Sequence, residues 1–158
     1  MRATVRACLI AVAAVVLPAF AQTRPDYSGE WVLRADRSGL DQRVWAGLEK
    51  FTVRIAHREP RFEFRHTSVT NGKTDVFGWT LTTDGREQVI TEGTVERHSR
   101  LAWSEGILVL SQRVVAPMGE ATNTVEYRLL EGGRVLEAHE RFKGPRLQYE
   151  NRYVFEKQ

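Results

Sequence analysis

Apolar and polar side chains alternate in short segments along most of the chain, from residue 51 to residue 156. Such period-2 alternation, interrupted by turn residues about every ten positions, is typical of antiparallel β-sandwiches and β-barrels. Eight turns divide this region into nine strands, and a further segment, SGEWVLRA at 28–35, adds a strand in front. Glycine and asparagine mark most of these turns because they tolerate positive φ. The turns are Arg58-Glu59-Pro60, Asn71-Gly72, Asp84-Gly85, Glu92-Gly93, Glu105-Gly106, Pro117-Met118-Gly119, Gly132-Gly133 and Lys143-Gly144-Pro145.

A different period appears between the first strand and the rest. Leu40, Val44 and Leu48 recur at helical spacing, and Ser38 with Asp41 fits a capping box. The pattern predicts one short amphipathic helix over residues 39–49. Ten strands with one short helix after the first predict an all-β protein, an up-and-down antiparallel β-barrel, since closure of the sheet removes its exposed edges.

The last three strands predict which side chains face the barrel interior. A two-residue turn at Gly132-Gly133 places Leu129 opposite Leu136 and Tyr127 opposite Ala138. If Phe142 pairs with Leu147, Tyr153 lies opposite Leu136, and one face is almost wholly apolar, as in a sheet that is wet on one side only. That face holds Val125, Tyr127, Leu129, Leu136, Ala138, Phe142, Leu147, Tyr149, Tyr153 and Phe155. The same parity turns Glu140 and Asn151 inward and puts Arg128, Arg141 and Arg152 on the wet face.

Residues 1–21 have the features of a secretory signal. Arg2 and Arg6 form a basic start, an apolar run follows, and Ala19-Phe20-Ala21 fits the small-x-small cleavage pattern. The apolar run is shorter than the roughly 20 residues that span a bilayer, so we expect cleavage, no membrane span afterwards, and a mature domain of residues 22–158 in the periplasm or outside the cell. A retained membrane anchor is the alternative. The only cysteine, Cys8, lies in this leader, so the mature chain has no disulfide.

Charge and motifs exclude several functions. Cleavage of the leader lowers Lys plus Arg from 23 to 21 against 20 acidic residues, and the charges alternate in sign, which argues against a nucleic-acid partner. No nucleophile elbow or glycine-rich phosphate loop occurs, so no cofactor is predicted. Four histidines, His57, His66, His98 and His139, give too few well-placed ligands to predict a metal site.

The two ends of the chain resemble a known group of barrels. The opening Tyr27-Ser28-Gly29-Glu30-Trp31, the meander, and the ending NRYVFEK at 151–157 resemble the calycins, above all the intracellular fatty-acid-binding proteins, and also lipocalins and exported bacterial lipocalin-like domains. The resemblance implies that Trp31 packs at the closed end of the barrel, covered as in lipocalins by an arginine of the last strand, here Arg152.

The resemblance breaks at the fatty-acid clamp. The positions that hold the basic and tyrosine residues of the clamp fall on Tyr127, Tyr153 and Phe155, so no basic group remains there for a carboxylate. The helical segment is also too short for the two-helix lid of that group. The clamp is therefore not expected in this chain.

These observations predict a lumen that holds a small, mostly apolar, uncharged ligand. The predicted contacts are Val125, Tyr127, Leu129, Glu140, Tyr149, Asn151, Tyr153, Phe155 and Trp103. One alternative is a filled barrel whose arginine-rich wet face binds an envelope protein. A remoter alternative is a small-barrel isomerase or cyclase that uses Glu140 as an inward carboxylate.

Overall fold

The computed structural model describes residues 24–158, so the predicted leader lies outside the described residues. Ten antiparallel strands and one short helix follow in the predicted order. The prediction of an all-β barrel with one short helix after the first strand is confirmed. The elements are β1 (Gly29–Leu33), a 3₁₀ turn (Ala35–Arg37), α1 (Gln42–Trp45), β2 (Leu48–Arg58), β3 (Arg61–Thr70), β4 (Lys73–Thr82), β5 (Asp84–Glu92), β6 (Val95–Ser104), β7 (Ile107–Ala116), β8 (Gly119–Leu130), a 3₁₀ turn (Glu131–Gly133), β9 (Val135–Lys143) and β10 (Gln148–Lys157).

The sheet is a meander that closes between its first and last strands. The spatial order is β4-β3-β2-β1-β10-β9-β8-β7-β6-β5, so β1 pairs with both β2 and β10. Within residues 24–158, β4 and β5 share no ladder and form the two edges of the sheet. The barrel is therefore nearly closed, with a seam between β4 and β5.

The Asp84-Gly85 pair does not form the predicted hairpin turn. It lies at the start of β5, while Thr83 alone connects the two strands and donates its backbone N–H to the Pro60 carbonyl at 2.8 Å. Gly85 has a φ of +78°, and the register of β5 against β6 shifts just after Asp84. The dipeptide therefore bends the chain at the start of β5 and does not join β4 and β5 as a hairpin. The predicted turn lies at the seam of the barrel.

The helix is shorter than predicted and begins later. Ser38 is not its cap; Asp41 caps α1, and its carboxylate accepts from the backbone N–H of Arg43. Gly39 instead pairs with Arg152 of β10 through two backbone hydrogen bonds of 2.8 Å each. This extra sheet pairing keeps residues 38–39 extended, and Leu48 already belongs to β2, so α1 is left with only four residues.

The register of the last hairpin differs from the prediction by two residues. Leu129 pairs with Leu136 and Tyr127 with Ala138, as predicted, but Phe142 pairs with Tyr149 instead of Leu147. The loop at Gly144-Pro145 is longer than a two-residue turn, and the Gly144 N–H bonds to the Leu147 carbonyl. A shift of two preserves the side-chain parity, so the inward face is unchanged while each cross-strand partner moves.

Aromatic side chains fill the closed end of the barrel, near the turn at Glu59-Pro60. Trp31 and Tyr27 are fully buried; the Trp31 indole donates to the Tyr27 carbonyl at 3.1 Å, and the Tyr27 hydroxyl donates to the Tyr127 carbonyl at 2.8 Å. Lys157, not Arg152, covers Trp31, with its ammonium 5.2 Å from the ring centre. Arg152 points to the wet face and pairs with Glu137. The predicted packing of Trp31 inside the closed end is what the structure shows.

Candidate functional site

The half of the barrel below α1 contains a cavity of about 140 Å³. Nine aromatic or imidazole rings line it, together with three aliphatic residues, one alanine and three polar side chains. The rings belong to Trp45, Phe51, Phe64, His66, Phe77, Trp79, Tyr127, Tyr153 and Phe155; the other lining residues are Leu110, Val125, Leu136, Ala138, Gln112, Asn123 and Glu140. The lumen is thus filled at its closed end and hollow towards the mouth.

Glu140 is the carboxylate of this cavity, and three neutral donors hold it. The Tyr153 hydroxyl donates to Oε2 at 2.7 Å and the Asn151 amide donates to the same oxygen at 3.0 Å. The Asn123 amide donates to Oε1 at 3.1 Å. The three donors come from β8 and β10, the strands on either side of β9, so the sheet register itself assembles the cluster.

The cluster continues to α1 through two further hydrogen bonds. Asn151, only 1% exposed, accepts from the backbone N–H of Asp41, the cap of α1, at 2.7 Å. The indole of Trp45, at the end of α1, donates to the Tyr153 hydroxyl at 3.0 Å. The short helix is therefore fixed over the cavity by the same residues that hold Glu140.

The other titratable groups of the cavity are neutral near pH 7. Burial lowers the pKa of His66 below its usual value, against the opposing charges of Asp75 and Glu140. Burial, and then the charge of Glu140, raises the pKa of both Tyr127 and Tyr153 far above the usual range of a phenol. Glu140 is therefore the acidic side chain of a cavity whose histidine and two phenols are held towards their uncharged forms by burial.

The structure brings together five of the nine predicted contact residues. Val125, Tyr127, Glu140, Tyr153 and Phe155 line the cavity. Whether they contact a ligand remains a prediction.

The other four predicted contacts lie elsewhere. Asn151 stands behind the wall as a support for Glu140, and Tyr149 stacks on Phe142 with ring centres 5.0 Å apart. Leu129 packs against the core near the closed end, and the Trp103 indole donates to Glu59 at 2.7 Å on that same side.

Several cavity residues were missed by the sequence argument although their parity was available. Asn123 has the same inward parity as Val125 and Tyr127, and Phe77 and Trp79 alternate along β4. Trp45 lies within the predicted helix but was not among the predicted contacts. The signal for Asn123 was its position two residues before Val125, whereas its bond to Glu140 depends on the three-dimensional arrangement.

The arginines of the wet face, on which the hypothesis of an envelope partner rests, each form an ion pair with a glutamate. Arg128 and Arg141 both pair with Glu126, and Arg152 pairs with Glu137. That hypothesis, like the enzyme alternative, stays untested. Among residues 24–158, no three His, Cys, Asp or Glu side chains are grouped as metal ligands, and none of the helices in this range is long and apolar enough to cross a bilayer.

Comparison with solved structures identifies the class of fold. A secretory abundant heat soluble protein from Ramazzottius varieornatus superimposes with a TM-score of 0.56 at 16% identity, over 84% of this chain and 95% of that one. A Schistosoma mansoni fatty acid binding protein in complex with arachidonic acid gives a TM-score of 0.53 at 14% identity, over 84% and 96%. Zebrafish ileal bile acid-binding protein complexed with cholic acid gives 0.52 at 15% identity, over 84% and 98%.

These likenesses show the fold alone: the chain is a calycin-type barrel. No protein-family model matches the chain, and no curated protein matches it either.

Proposed function

We propose that this protein is exported and holds one small, mostly apolar molecule in the cavity next to α1. The observation that carries the proposal is the cavity of about 140 Å³, which is lined by nine rings and by the carboxylate of Glu140. A compact core leaves few voids larger than a water molecule, so a cavity of this size in the interior is a specific feature. The solved barrels of the same fold that hold arachidonic acid and cholic acid support a binding role.

The size of the cavity limits the ligand. A dry apolar cavity of roughly 150 Å³ admits benzene, whereas pockets for larger ligands run from about 300 to 1,000 Å³. The proposed ligand is therefore of the size of one ring with a short substituent. The inward Phe77 is 38% exposed, which gives such a molecule a route beside the seam.

Native mass spectrometry of the protein purified gently from its export compartment tests both parts of the proposal. We expect a mass that corresponds to Gln22–Gln158 plus a small discrete excess that disappears on denaturation. A retained leader would contradict cleavage, and recovery of the protein from the cytoplasm alone would contradict export.

A steric variant tests the location of the site. Ala138 lines the cavity, so Ala138→Leu reduces its volume without removing a wall, and we expect toluene binding, measured by calorimetry, to weaken at least about tenfold. The matched control is Ala56→Leu on the exposed side of β2, which should bind toluene like the parent protein. If toluene binds both variants equally, or if no one-ring probe binds the parent, the cavity is not the binding site.

A further inference from the structure

We propose that the ligand is a small organic cation, with an ammonium group bound by Glu140 and Asn123 and an apolar ring among the aromatic side chains. This inference rests on the proposed function, since it names the chemical class of ligand for the same cavity. It departs from the uncharged ligand that the sequence predicts.

The first argument is that the charge of Glu140 has no counter-charge. Its donors are two side-chain amides and one phenol, all neutral. Within residues 24–158 no lysine or arginine forms an ion pair with it, although carboxylates of the wet face, such as Glu126 and Glu137, are paired with arginines. Glu140 is half-buried, and a partly desolvated carboxylate is stabilised by a counter-charge. A cationic ligand supplies the missing partner.

The second argument is an acceptor without a donor. The Oδ1 atom of Asn123 is buried and has no hydrogen-bond partner among the described residues. The orientation of the amide is fixed, because its Nδ2 must donate to Glu140 Oε1. Asn123 and Glu140 both line the cavity, so this acceptor without a donor and Glu140 Oε1 belong to adjacent, hydrogen-bonded side chains. An ammonium group carries three donors and no acceptor, which matches this pair.

The third argument is the chemistry of the surrounding wall. A cation is attracted to the faces of aromatic rings, and the attraction grows when both are removed from water. At the Glu140 end of the cavity, Trp45 stands edge to face against both Phe51 and Tyr153, with ring centres 5.2 and 6.2 Å apart. Neutral His66 adds no positive charge that would repel the ligand. A carboxylate ligand would instead meet the negative charge of Glu140.

Four probes that share one ring and differ in the head group test the inference. Benzylamine is cationic at pH 7, benzyl alcohol is a neutral donor, toluene has no polar group and benzoate is anionic. Calorimetry with the mature protein at low salt should show benzylamine binding about tenfold or more tighter than toluene, and benzoate binding weakest. The experiment separates the two proposals, because toluene binding alone is sufficient for the proposed function.

Two variants assign the effect to the cluster. Glu140→Gln should weaken benzylamine about tenfold or more and leave toluene within twofold, which also shows that the variant is folded. The matched control, Glu150→Gln on the exposed side of β10, should change neither affinity. Should Glu140→Gln not fold, Asn123→Ala takes its place and should weaken benzylamine several-fold with toluene unchanged.

The outcomes are distinguishable. If toluene binds and benzylamine gains nothing over it, the cation inference is overturned while the proposed function stands. If benzylamine binds tightly but loses nothing in either cavity variant, the cation lies elsewhere and the inference also fails. If no probe binds, the proposed function itself fails.

Discussion

Trp31 and Tyr153 are inward aromatic residues on neighbouring strands, and the partners of their polar atoms give them different roles. The indole of Trp31 donates to the Tyr27 carbonyl, a backbone atom of the closed end. The hydroxyl of Tyr153 donates to Glu140 and accepts from Trp45, so it belongs to the cavity and to α1. Residue type and burial alone do not distinguish an aromatic residue of the closed end from one of the cavity. The hydrogen-bond partner of its polar atom does.

Replacement of Trp31 by phenylalanine should therefore lower stability without affecting binding. The change leaves a void around a fully buried side chain and removes the indole donor to the Tyr27 carbonyl. We expect a loss of about 2 kcal/mol in the free energy of unfolding, measured by urea denaturation. Trp103→Phe, at a partly exposed indole whose partner Glu59 also accepts from Thr83, should lose less. Equal losses, or a change in toluene affinity for Trp31→Phe, would contradict this assignment.

For single residues of the site, the sequence predicted which face of the sheet each side chain occupies, but not its partners. Alternation predicted that Val125, Tyr127 and Glu140 face inward, because any even shift of register preserves the face. The partner of Glu140 was not predictable: the longer loop at Gly144-Pro145 moves Asn151 opposite Glu140 in place of Tyr149. The lack of a donor for Asn123 Oδ1 was likewise not predictable, because it follows from the amide nitrogen being the atom that bonds to Glu140.

At the scale of elements, the seam between β4 and β5 is the place where the barrel lacks a ladder. Apolar residues are exposed along both edges, with Val76 at 48% and Val89 at 51%. Arg97 of β6 lies over the ring of Phe77 on β4 at 5.6 Å, so side chains bridge the seam. The sequence did not predict this seam, because Asp84-Gly85 carries the same signal as a paired hairpin turn.

Amide hydrogen exchange should reveal the seam. In β4 and β5, alternate backbone N–H groups point away from the paired neighbour and have no ladder partner, so they should exchange nearly as fast as loop amides. β8 and β9 have ladders on both sides and are the internal controls. Uniform protection of β4 and β5 at the level of β8 and β9 would show that the seam is hydrogen-bonded in solution.

The short helix shows how tertiary pairing limits a local signal. Helical spacing from Leu40 to Leu48 predicted eleven residues, but Gly39 pairs with β10 and Leu48 enters β2. What remains of the helix, capped by Asp41, carries Trp45 to the Tyr153 hydroxyl. The sequence thus predicted that a helix follows the first strand, but its length is set by sheet contacts that a linear pattern does not contain.

At the scale of the whole molecule, the cavity differs from what a long fatty acid requires, although the fold is shared with a protein that holds one. The Schistosoma mansoni protein of the same fold holds arachidonic acid. In this chain the cavity measures about 140 Å³, the clamp positions are Tyr127, Tyr153 and Phe155, and the charge that lines the cavity is the negative one of Glu140. Volume and charge therefore act independently against a long-chain fatty acid.

Palmitate should consequently fail to displace toluene from the mature protein. A chain of sixteen carbons exceeds a cavity that suits a single ring, and its carboxylate would lie near Glu140 without a basic partner. Glu140→Gln separates the two causes: it removes the charge and keeps the volume, so palmitate should still not compete if volume alone is sufficient. Competition in this variant only would identify charge as the barrier. If calorimetry instead shows that palmitate displaces toluene from the parent protein at a one-to-one ratio, the barrel opens well beyond the cavity described above. The seam between β4 and β5 would then be the first place to look for that opening.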